Sequence, residues 1–183
     1  MPDLSYPIGK FTPERDLSAG RRAELIAQIA AAPARLRAAV NGLSPQQLDT
    51  PYRPQGWTVR QVVHHVPESH MNAYIRFKLA LTESEPTIKP YEQQLWAALP
   101  DVPVTPVETS LALLDFLHQR WVIVLKGMAE GDWQRTFRHP ELGIVRLDTN
   151  LALYAWHSRH HVAHITSLRD RMGWTTGAAA GTR

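Results

Sequence analysis

The chain contains no cysteine. Disulfides, thiolate-bound zinc, iron–sulfur clusters and a cysteine nucleophile are excluded with it, so any metal must be held by nitrogen and oxygen ligands. No apolar run approaches the roughly 18 residues that span a bilayer, and the opening Met1-Pro-Asp-Leu-Ser-Tyr-Pro-Ile8 lacks the basic and apolar regions of a signal peptide. A cytoplasmic protein without membrane attachment is the expectation. Excess charge is scarce as well. There are 20 Lys+Arg against 17 Asp+Glu and no Lys/Arg-rich block, so nucleic acid is not an expected partner.

What remains is 183 residues of ordinary hydrophobic content, 44%, enough for one domain with a sizeable core. No repeat or domain boundary interrupts it. Residues 1–174 read as a single helical domain, and the small polar residues 175–183 as a disordered tail. The abundant special residues are nine histidines and six tryptophans.

Residues 1–14, with three prolines and a glycine, read as an extended arm. From about Ser18 the pattern becomes helical, with Ala23, Ile26, Ala27 and Ala30 and then Leu36, Ala39 and Val40 at helical spacing. Pro33 lies inside that stretch and is expected to kink or split it, having no amide to donate. Ser44-Pro45 starts a short helix through Leu48. Thr58-Val-Arg-Gln61 fits a capping box and opens a second long helix to about Leu81, with a kink expected where Pro67 interrupts it. After a short helix within Tyr91 to Leu99, Thr105-Pro106 begins a third long helix. Its expected apolar stripe is Leu113, Leu114, Leu117, Trp121, Val124, Leu125 and Met128. Phe137 to His139 and Ile144 to Leu147 flank a turn and suggest a small β-hairpin. Asp148 and Thr149 are the expected cap of a fourth long helix, stopped at Gly173. The fold class expected is all-α, a four-helix bundle with at most one small hairpin before the last helix.

The chemistry is concentrated in histidines. On the fourth long helix, His157, His161 and His164 lie on one stripe with Tyr154, Ile165 and Leu168, while His160 points further round. Neutral imidazoles at i and i+4 can hold one metal ion, as in His-Glu-x-x-His helices. The second long helix offers His64 and His65 among valines, and a bundle can bring one of them to the His157/His161 pair. A lone His-x-x-x-His pair is weak evidence, since buried histidines are often merely neutral and hydrogen-bonded. The second cluster on another helix favours a metal site of three histidines. His118 and His139 have no such company and read as surface or structural residues, whose replacement leaves the metal in place. The tryptophans read as core.

These residues also resemble a known family. Tyr6-Pro-Ile-Gly-Lys-Phe11, Leu48-Asp-Thr-Pro-Tyr-Arg53, Gly56-Trp-Thr-Val-Arg-Gln-Val-Val-His-His65, Ser69-His-Met-Asn-Ala-Tyr74, Tyr154-Ala-Trp-His157 and His160-His161-Val-Ala-His-Ile165 together resemble the DinB-like superfamily. Within it they resemble the YfiT group of metal-dependent hydrolases. The resemblance implies a four-helix bundle, a zinc or nickel ion, about one per chain, and a homodimer. It puts the ligands on His65, His157 and His161. His64 remains an alternative to His65, and His160 with His164 an alternative to the last pair. Pro67 departs from the family's pattern.

Three neutral imidazoles leave an open position on the metal, the mark of a catalytic rather than a closed site. Metal-bound water activated for hydrolysis of a small-molecule substrate is the first expectation. Transfer of a low-molecular-weight thiol such as bacillithiol, an activity of some DinB-like relatives, is the second. A non-catalytic metal-stabilised bundle or ligand sensor is the third. Ser158 stands where a His-Glu-x-x-His helix carries its glutamate, so the nearest candidate base is Glu68, one turn beyond His65, although a glutamate on a helix is usually just solvated. Arg159 and Arg76 are candidates to hold an anionic substrate, although surface charge is the simpler reading of each.

Overall fold

The computed structural model describes residues 3–174. The chain runs α1 (Ala19–Val40), α2 (Pro45–Leu48), α3 (Val59–Thr82), α4 (Gln93–Trp96), α5 (Val107–Gly127), a 3-10 turn (Glu130–Gln134), β1 (Thr136–His139), β2 (Gly143–Arg146) and α6 (Leu147–Met172). It is a four-helix bundle of α1, α3, α5 and α6, with β1 and β2 as one antiparallel hairpin before the last helix. The tail at 175–183 lies outside the described residues. Among the described residues no helix is long and apolar enough to cross a membrane.

The helix starts follow from local chemistry. Ser18 Oγ accepts the Arg21 amide at 3.2 Å. Thr58 and Gln61 form the reciprocal capping box, with Thr58 Oγ1 accepting the Gln61 amide at 3.1 Å and Gln61 Oε1 accepting the Thr58 amide at 2.9 Å. Gly173, at φ 65°, closes α6 in the left-handed conformation that favours glycine.

The packing order is not the sequence order. α1 packs chiefly against α5 and α6, and α3 against the same two. Around the bundle the helices therefore read α1, α5, α3, α6, and the connections α1 to α3 and α5 to α6 cross between non-neighbouring helices.

Three expectations need correction. First, the split expected as one outcome at Pro33 does not occur, and Pro33, like Pro67 in α3, lies inside a single continuous helix. A helical proline removes one amide and pushes aside the carbonyl four residues earlier, but the flanking ladder and tertiary packing hold the helix together. The displaced carbonyl of Ile29 finds a new partner, the Nδ1 of His118, at 2.7 Å. Second, α6 begins before Asp148 and Thr149 instead of being capped by them. Buried Asp148 accepts the Asp16 amide at 2.9 Å and an Arg146 guanidinium N–H at 2.7 Å, tying the N-terminal arm to the helix start. Third, the buried stripe of α5 is Val107, Ser110, Leu111, Leu114, His118, Trp121 and Leu125. Leu113 is exposed. The true stripe steps by three and four along the helix, and a histidine occupies one of its inward positions.

The core has two apolar parts. One gathers Leu25, Ile29, Phe77, Trp121, Leu125, Phe137, Leu151 and Tyr154 with their neighbours. The other gathers Leu36, Val59, Val62, Val66, Leu111, Leu114, Ile165 and Leu168. On α3 the gap between them falls at Ser69 and His70, on α5 at His118, and on α6 at His157 to His164. A layer of histidines crosses the middle of the bundle.

Candidate metal centre

His65 sits one and a half turns into α3, and His157 and His161 stand one turn apart on α6. Because α3 and α6 are neighbours in the bundle, the three rings meet. His157 Nε2 lies 3.4 Å from His65 Nε2 and 3.2 Å from His161 Nε2. One ligand atom from each of the three falls within 4.8 Å of the others. A tetrahedral zinc site with its nitrogens about 2.0–2.1 Å from the ion separates them by about 3.3 Å. The spacing therefore fits a cation shared by the three lone pairs. The Nδ1 of buried His161 has no hydrogen-bond partner, which leaves no second anchor to draw that ring away from its neighbours.

His157 and His161 line a cavity of about 370 Å³, and His65 stands behind them, against Trp57. The cavity walls include Tyr6 from the N-terminal arm, Tyr52, Arg53 and Trp57 from the segment before α3, and Gln94 from α4. Trp57 packs its ring 4.7 Å from His65 and donates its indole N–H to Gln94 Oε1 at 2.8 Å. Gly56 lets Arg53 fold close, since a Cβ there would stand 2.6 Å from Arg53 Cγ.

The sequence profile of the DinB superfamily matches residues 28–165. The chain belongs to that superfamily. A Bacillus cereus (strain B4264) protein with the provisional name of metal-dependent hydrolase is 55% identical over 174 residues, 95% of this chain and 100% of that protein. A Bacillus mycoides (strain KBAB4) protein of the same name is 54% identical over the same shares. YfiT from Bacillus subtilis, described as a probable metal-dependent hydrolase with an unusual four-helix bundle topology, matches with a TM-score of 0.92. It is 48% identical over 94% of this chain and 99% of that one. TT2238, a four-helix bundle protein 21% identical over 80% of this chain and 98% of that one, shares the fold at a TM-score of 0.57.

The other histidines of this DinB bundle take different places. His64 turns to α5, with Nδ1 2.7 Å from Ser110 Oγ. His160 and His164 border the same cavity but are held by aromatic rings. Trp156 stacks on His160 at 4.3 Å and Tyr52 on His164 at 3.9 Å, while His164 Nε2 lies 3.2 Å from the Ser5 carbonyl oxygen. His118 and His139 are both buried, which removes the surface reading of each. The ring of His139 accepts the Glu141 amide at 3.2 Å and so shapes the hairpin turn. His118 reaches the site indirectly. Its Nε2 lies 2.8 Å from His70 Nδ1, and His70 Nε2 lies 3.1 Å from His157 Nδ1. Spacing alone does not single out His70 and gives His118 only a surface or structural reading, although both fall on the inward stripes of their helices. The hydroxyl of Ser69, one turn after His65, also stands 3.5 Å from His157 Nε2.

Burial keeps these rings neutral. It holds His65 at about 4. It takes His157 and His161 well below the ordinary histidine value, with the neighbouring imidazoles lowering both further. Neutral rings carry the lone pair that a metal needs. Glu68 does not line the cavity. Its carboxyl is pushed up by burial and by nearby Asp101. Arg159 and Arg76 do not line it either, and the arginine at its wall is Arg53.

Proposed function

We propose that this chain is a metal-dependent hydrolase of a small-molecule substrate, with one zinc or nickel ion held by His65, His157 and His161. The observation that carries the reading is the convergence of three neutral imidazole nitrogens, two of them, from His157 and His161, in the wall of an accessible cavity. His65, His157 and His161 would hold the ion as neutral ligands, and the ion, keeping its full charge, would supply Lewis acidity that lowers the pKa of water near neutral pH. The chain's own residues position the substrate. Arg53 presents a guanidinium to an anionic group, and Tyr6, Tyr52 and Trp57 supply flat apolar walls. Ser69 is placed to hold a hydrogen bond beside His157 Nε2. We further propose that the protein acts in the cytoplasm as a homodimer.

A second reading has an observation of its own. Among the described residues no aspartate or glutamate lines the cavity, so none supplies a carboxylate general base there. A thiol, with a free pKa of about 8.5, needs less activation than water at about 15.7. Transfer of a low-molecular-weight thiol such as bacillithiol onto an electrophile therefore suits the same site, with Arg53 on the thiol's carboxylate. The test is turnover by zinc-loaded protein on an ester and amide panel without thiol, then on monochlorobimane with bacillithiol. Hydrolysis abolished by His161→Ala supports the hydrolase. Zinc-dependent conjugation only with thiol overturns it in favour of the transferase.

A further inference from the structure

We infer that His70 and His118 are positioning residues that fix the tautomer of the metal-facing His157, through a one-way hydrogen-bond relay anchored on a carbonyl freed by Pro33. The inference rests on the metal-centre reading for its purpose, but its geometry stands on the protein alone.

The anchor comes first. In an α-helix the carbonyl of residue 29 accepts the amide of residue 33. Here residue 33 is proline, inside α1, and has no amide to give. The Ile29 carbonyl therefore lacks its helical partner in a fully buried position, and His118 Nδ1 stands 2.7 Å from it. A carbonyl oxygen only accepts, so His118 must donate from Nδ1.

The rest follows by counting protons. His118, neutral and already carrying its proton on Nδ1, offers only a lone pair at Nε2. His70 Nδ1, 2.8 Å away, must therefore donate to it. His70 then has a lone pair at Nε2, and His157 Nδ1, 3.1 Å away, must donate in turn. That leaves the lone pair of His157 on Nε2, the atom that faces His65 and His161. Three rings supply three protons to three hydrogen bonds, with none left over and none missing. No carboxylate takes part. Metal-ligating histidines usually owe their tautomer to such an outer partner, whose removal costs about 10–100-fold in metal affinity. Here that partner is itself oriented by another imidazole and, beyond it, by a helix backbone. His70 and His118 are 0% and 2% exposed, so water does not complete the relay in their place.

The experiment uses the full chain and has two parts. In metal-free protein, long-range proton–nitrogen NMR of the histidine rings reads the tautomers of His118, His70 and His157. All three are expected as Nδ1–H, and an Nε2–H form of His157 overturns the relay whether or not the protein binds metal. In parallel, zinc affinity is measured by chelator competition for wild type, His118→Leu and His118→Gln. Leucine fills the space with neither donor nor acceptor, whereas glutamine can accept from His70 and donate to Ile29. His118→Leu is expected to lose about tenfold in zinc affinity, with most of it recovered in His118→Gln. Equal affinity for wild type and His118→Leu overturns the inference. If His118→Leu does not fold, the wild-type tautomers decide. Failure of wild type to bind zinc defeats the metal-centre reading and leaves the tautomer result standing.

Discussion

The two apolar parts of the core and the histidine layer between them solve opposite problems. At Phe77 and Trp121, or at Val62 and Leu114, side chains need only shape and volume, because their free energy comes from leaving water. In the layer the rings at positions 65, 70, 118, 157 and 161 need direction as well, because a buried ring nitrogen without a partner costs about 1–3 kcal/mol. The layer lies on the same helices and continues the same inward stripes. The comparison teaches that burial pattern alone does not separate a packing position from a functional one. The residue type at the inward position does so, together with what each nitrogen faces.

The sharpest way to break the comparison is to remove a ring from the layer. His157→Ala takes away one nitrogen of the triad and the terminus of the relay, and is expected to abolish stoichiometric zinc binding while the helical circular dichroism persists. Elemental analysis that finds one zinc per chain in this variant would end the ligand assignment.

A cut in the apolar part should do the reverse. Phe77 is fully buried, and Phe77→Ala is expected to cost about 3–5 kcal/mol of stability by opening a cavity. The fraction that remains folded should still bind zinc one to one. If Phe77→Ala lost zinc as completely as His157→Ala does, the two regions would not be separable.

Acid should act on the layer and spare the apolar parts. Burial holds His118 and His164 at about 4, against 6.5 for an ordinary histidine. Between those values the unfolded chain takes up protons that the folded chain refuses, so protonation favours unfolding. Stability of the metal-free protein is therefore full above about 6.5 and falls as the pH drops towards about 4. Urea midpoints at pH 7, 6 and 5 measure this, and a midpoint unchanged across that range contradicts it.

The smallest effect expected is that of Pro33→Ala. An alanine restores the amide that the Ile29 carbonyl would otherwise accept, and His118 must then share its anchor. Zinc affinity should fall by less than in His118→Leu. A loss equal to or larger than that of His118→Leu would mean that the proline matters for some reason other than the carbonyl it frees.

Much of this was legible from the chain alone. The capping box at Thr58 and Gln61, the glycine stop at Gly173 and the helical spacing between them are local signals, and local signals are what determine where helices begin and end. The spacing of His157 and His161 on one face is equally local. The limits of reading along the chain are seen at Pro33, which local rules treat as a breaker but which lies within a continuous helix. Its effect depends on what stands beside the Ile29 carbonyl it displaces, and that is His118, 89 positions from Ile29. The same holds for the register on α3. His64 and His65 are consecutive and both buried, and only the neighbours of α3 decide that one turns to Ser110 and the other to His157. His70, Ser69, Arg53 and the N-terminal arm join the site for the same reason. Sequence determined the helices and the kind of chemistry available, because those depend on contacts a few residues apart. The tertiary structure decided which nitrogens meet and which way each bond points, because a hydrogen bond across the bundle is set by helix packing and by the one group at its end that can only accept.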